Sequence, residues 1–85
     1  MRPNPLKRSA QQRDLLDAAL AAYVNWREEC IAVRDAYRTW EHASAEDAEV
    51  AFDDYEAALY REEHAANVYA GWIGRVRDFV AIGLT

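Results

Sequence analysis

With three glycines and two prolines in 85 residues, the chain has few of the residues that make tight turns and stop helices. Both prolines, Pro3 and Pro5, lie at the N-terminal end, so a fold assembled from many short elements is excluded for the remainder. Cys30 is the single cysteine, which excludes an internal disulfide and favours a reducing compartment, the cytoplasm by default. No apolar run approaches the ~20 residues of a membrane span, and the N-terminal charges precede no signal-peptide apolar core. A net charge of −5 argues against a nucleic-acid surface, which needs clustered Lys and Arg.

What is present is 52% apolar residues and an abundance of Ala, Glu and Arg, the composition of one small helical domain whose core alone contributes modest stability. Residues 1–8 carry the prolines with Arg2, Lys7 and Arg8 and are expected to form an irregular basic arm. Ser9 and Gln12 stand at capping-box spacing, so a first helix is expected from there to about residue 42. Its apolar stripe runs through Leu15, Ala19, Ala22, Trp26, Cys30, Val33, Tyr37 and Trp40 at steps of three or four. A second stripe runs through Ala48, Phe52, Tyr55, Leu59, Glu62, Ala66, Tyr69, Ile73, Val76 and Val80, predicting a helix over 45–81. Gly71 and Gly74 mark a candidate kink or end, and Gly83 a candidate stop.

Between the stripes, Ser44 and Asp47 form an N-cap signature. So short a connection places the helices antiparallel, and the expected fold is an all-α two-helix hairpin forming a single domain over 9–85. A turn centred near Ser44 opposes residues whose numbers sum to about 89, setting Trp40 near Glu49, Tyr37 near Phe52 and Arg27 near Glu62. Arg34 and Arg38 would then reach Asp54 or its neighbours. The distribution of charge fits, since residues 41–63 hold nine acids against the single base Arg61.

One hairpin has no third wall, yet Leu16, Leu20, Val24 and Ile31 flank the first stripe, and Tyr60, Val68 and Trp72 flank the second. This surplus is the candidate interface, and it predicts self-association into a four-helix bundle. The partner is a second copy or another helical protein.

Catalytic and ligand chemistry finds little footing. Carboxylate-bridged metal bundles use Glu-x-x-His, whereas Thr39 precedes His42 by three positions and Arg61 precedes His64 by three. Glu62 interrupts an apolar stripe and is expected to set register by pairing with Arg27 or solvent. Cys30, on the stripe, is a small hydrophobe in the core. No metal, cofactor or catalytic residue is assigned, and the protein is expected not to be an enzyme. The alternative is a small-molecule or metal site in a dimeric bundle core, using Glu62, Glu63 and His64 with Glu28 and Glu29.

Trp72-Ile73-Gly74 resembles the Trp-x-Gly tripeptide of the helical hairpins exported by type VII secretion. That family carries it in the central turn, whereas the turn here is His42 to Asp47, so secretion and heterodimer pairing do not carry over. In composition, segments such as Asp35-Ala36-Tyr37-Arg38-Thr39-Trp40 and Tyr55-Glu56-Ala57-Ala58-Leu59-Tyr60-Arg61-Glu62-Glu63 resemble short uncharacterised helical-hairpin proteins of high-GC actinobacteria. That resemblance implies the hairpin fold and no activity.

Overall fold

The computed structural model describes residues 5–84 as two antiparallel helices, α1 (Pro5–Glu41) and α2 (Ala48–Leu84). Of the arm expected over 1–8, residues 1–4 lie outside the described residues, and from Pro5 onward the chain is helical. Helix thus begins four residues before Ser9, because proline is tolerated in a first helical turn, where its missing N–H has no partner to lose. Arg8 ties this extension to α2. Its guanidinium lies 4.4 Å from the centre of the Phe79 ring and donates to the Phe79 carbonyl at 3.2 Å. The last turn of α2 contains no basic residue, so Arg8 supplies the positive charge that suits the carbonyl end of a helix.

The glycines do not interrupt α2. Helix continues through Gly71 and Gly74 without a break, since half-buried Trp72, Val76 and Phe79 pack that stretch along α1 and offset the ~1 kcal/mol per glycine. Gly83 is not a stop but lies inside the last turn, where a Cβ would run into the Arg8 guanidinium. Its lack of a side chain makes room for Arg8.

The reversal uses no glycine, and no described residue has positive φ. Instead the freed backbone groups are taken up locally. The Ala43 amide donates to Trp40 O at 3.2 Å, and His42 Nδ1 lies 2.9 Å from Arg38 O, positioned to donate to it. Ser44 Oγ accepts from the Asp47 amide at 3.3 Å while donating to Asp47 Oδ2 at 3.2 Å, and Asp47 O accepts the Ala51 amide at 2.9 Å. Ser44→Ala is expected to lower stability by about 1 kcal/mol, read from denaturant midpoints at fixed protein concentration. No change would remove Ser44 from the capping role.

The helices meet in a register set slightly differently from expectation. Tyr37 packs on Tyr55 and Tyr23 on Tyr69, with ring centres 5.5 Å apart in each pair, and Trp40 packs on Phe52 at 5.1 Å. The facing numbers in these pairs sum to 92, not the expected 89. Helix 2 is also rotated from its expected stripe. Its seam runs through Ala51, Ala58 and Ala65, all buried, and on through Trp72 and Phe79 seven and fourteen residues later; Phe52, Leu59, Ile73 and Val80 lie one position off it.

Along the seam, small residues alternate with bulky ones, Ala19, Ala22, Ala51, Ala58 and Ala65 among Trp26, Trp40, Tyr55, Tyr69 and Trp72, an alternation that lets two helices approach closely with no third layer. Among the described residues the buried apolar ones are all alanine: Ala19, Ala22, Ala51, Ala58 and Ala65. The aromatic rings lie over these alanines, half open to solvent, in a rod measuring 67 × 16 × 14 Å.

Candidate interaction surface

In an antiparallel pair, the residue following each second seam position lies on the same broad side of both helices, because one helix runs opposite to the other. On α1 these residues are Leu16, Tyr23, Cys30 and Tyr37; on α2 they are Phe52, Leu59, Ala66, Ile73 and Val80. Together they make one apolar face. Aromatic packing fixes its turn-proximal half, where Trp40 stacks on Tyr55 with planes 14° apart and Tyr37 meets Tyr55 edge-on. A second cluster, Tyr23, Trp26 and Tyr69, follows further along, with Trp26 stacked on Tyr69 at 5.7 Å.

Charge borders this face unequally. Arg27 and Arg34 occupy the outer row on the α1 side, and Glu49, Glu56 and Glu63 recur every seven residues along the α2 side, all exposed. The opposite broad face carries Asn25, Thr39, Asp54, Arg61 and Arg75 and is correspondingly polar.

Of the expected interface residues, Leu16 (48% exposed) and Leu20 (62%) lie on the apolar face, while Val24 (48%) and Ile31 (52%) point outward from the back of α1. The three on α2 do not join the face either. Tyr60 points outward from the far edge of α2, Val68 opens onto the polar face, and Trp72 is a half-buried seam residue with Arg75 4.6 Å from its ring centre. Tyr37, Phe52, Leu59, Ile73 and Val80, expected on the core stripes, are instead exposed and, with Tyr23, form the centre of the face. Cys30 stands half-buried within it, a free thiol.

The midpoint of the seam is polar. Glu62 accepts from the Trp26 indole N–H at 2.9 Å, so its partner is Trp26 and not Arg27, whose side chain points away on the outer row. Glu29, in the same layer, is 3.4 Å from Arg61 Nε. Two of the four acids expected to serve a ligand, Glu29 and Glu62, are therefore engaged within the hairpin. His42 belongs to the turn, while His64 lines an open groove of about 380 Å³ with Asn25, Glu29, Tyr60 and Arg61; the turn and this groove lie far apart along α2. Glu28 and Glu63 are exposed. Among the described residues no three His, Cys, Asp or Glu side chains converge to hold a metal ion, and no helix is long and apolar enough to cross a membrane.

Trp72 and Gly74 lie inside α2, 25 residues or more beyond the turn. No family model, curated protein or solved structure matches the chain.

Proposed function

We propose that the protein is a non-enzymatic helical-hairpin interaction and assembly module that self-associates through the apolar face of α1 and α2 and acts in the cytoplasm. The observation that carries this reading is the inversion of its apolar content. Alanines fill the core, while Leu16, Leu20, Tyr23, Tyr37 and Leu59 remain exposed on one side. A contiguous apolar patch of this extent marks an association surface in a protein of this size, and the lone free thiol accords with a reducing compartment.

Analytical ultracentrifugation from 1 to 100 µM, on the order of the affinities of modest interfaces, tests the self-association. The expected result is a concentration-dependent shift from monomer to dimer. A monomer at every concentration, with unchanged helical circular dichroism, would reject it.

A further inference from the structure

From the charge along the apolar face, we infer that the face receives a second copy of this chain in one seating: α1 against the second copy's α2, with both turns at the same end of a four-helix bundle. This rests on the self-association reading and adds its geometry.

The area is sufficient. A face 67 Å long and 16 Å wide offers about 1,000 Å² per copy, above the ~800 Å² per partner of a standard stable interface. Two twofold-symmetric seatings place this face against itself. With the axis along the rod, α1 covers the second copy's α2 at equal height. Tyr37 then meets the second copy's Phe52, Cys30 its Leu59 and Leu16 its Ile73, so the apolar centre closes along its length. Beside that centre Arg34 faces Glu56 and Arg27 faces Glu63, each pair occurring twice, with Arg38 near Asp53. Like charges meet only towards the two ends, Glu41 with Glu49 and Arg13 with Arg77, where exposure and salt weaken them.

With the axis across the rod, like helices cover one another and the turns lie at opposite ends. Arg13 then meets Arg34, Arg27 and Glu63 lose their opposite charges to Leu20 and Ala70, and only Glu56 with Arg77 attracts. Charges flanking a closing apolar centre act on specificity and register, and here they select the seating that brings the turns together.

Charge exchange tests the geometry. Arg27→Glu with Arg34→Glu, and separately Glu56→Arg with Glu63→Arg, should each raise the dimer dissociation constant at least about tenfold, since each turns attraction into repulsion. All four substitutions in one chain restore opposite charges across the interface and should return it to within about threefold of the original. These positions are exposed, and circular dichroism should report the same helicity throughout. A spin label on Ala45→Cys, in a Cys30→Ala background, should give a label separation of roughly 20–30 Å in the dimer, two packed helices apart. A dimer indifferent to the charge exchanges, with labels about 60 Å apart, near the rod's 67 Å length, would overturn this seating and leave self-association standing. Absence of any dimer in the unsubstituted protein would overturn both.

Discussion

Trp26→Ala is expected to lower the unfolding free energy by about 3 kcal/mol, at the lower end of the range for aromatic truncation because the side chain is half-buried. Three interactions meet at this residue: the stack on Tyr69, the edge contact with Tyr23 at 6.1 Å, and the indole hydrogen bond to Glu62. The melting temperature, compared at one protein concentration because association shifts it, should fall by roughly 12–20 °C. Trp26→Phe separates the causes. It keeps a ring in the cluster and removes the N–H, so about 1 kcal/mol is expected from the Glu62 bond alone. A fall of only a few degrees for Trp26→Ala would mean that the aromatic cluster does not hold the two helices together.

Ala58→Phe should be nearly as damaging by the opposite route. Ala58 has no exposed surface and lies at the middle of the alanine seam between Ala51 and Ala65. A ring there cannot be accommodated without prising the helices apart, and overpacking of this kind costs about 1–3 kcal/mol in ordinary cores. In a rod of two helices the separation also disturbs the layers on either side, so the upper end is expected. Ala57→Phe, one residue earlier and exposed, is the control, with a change within about 0.5 kcal/mol. Equal effects at 57 and 58 in chemical denaturation would place the seam elsewhere.

The hairpin was legible in the sequence because two stripes and one capped interruption leave little else to build. Ser44 and Asp47 marked the turn through a local hydrogen-bond pattern that does not depend on distant residues. Which side of α2 faces α1 was less accessible. Choosing the bulkier residue at each turn favours Phe52, Leu59 and Ile73, yet close helix approach favours alanine, and the signal was the spacing of seven from Ala51 to Ala58 to Ala65. That rotation moves Phe52, Leu59, Ile73 and Val80 from the expected core to the surface. Glu62's partner was missed for a related reason: an indole N–H is as good a donor to a carboxylate as a guanidinium when geometry places it nearer. The reach of Arg8 to Phe79 was hidden altogether, since no local pattern joins residues 71 apart.

The capped turn has a consequence for how the hairpin closes. Contacts between the helices lie at growing sequence separation, 32 for Glu29 with Arg61, 36 for Trp26 with Glu62 and 71 for Arg8 with Phe79. Pairing begun at Ser44 can therefore proceed like a zipper, each layer extending a loop already closed by the layer before it, so that the entropy of bringing distant segments together is met in small instalments. Long as the rod is, none of its contacts requires an unassisted search across the whole chain.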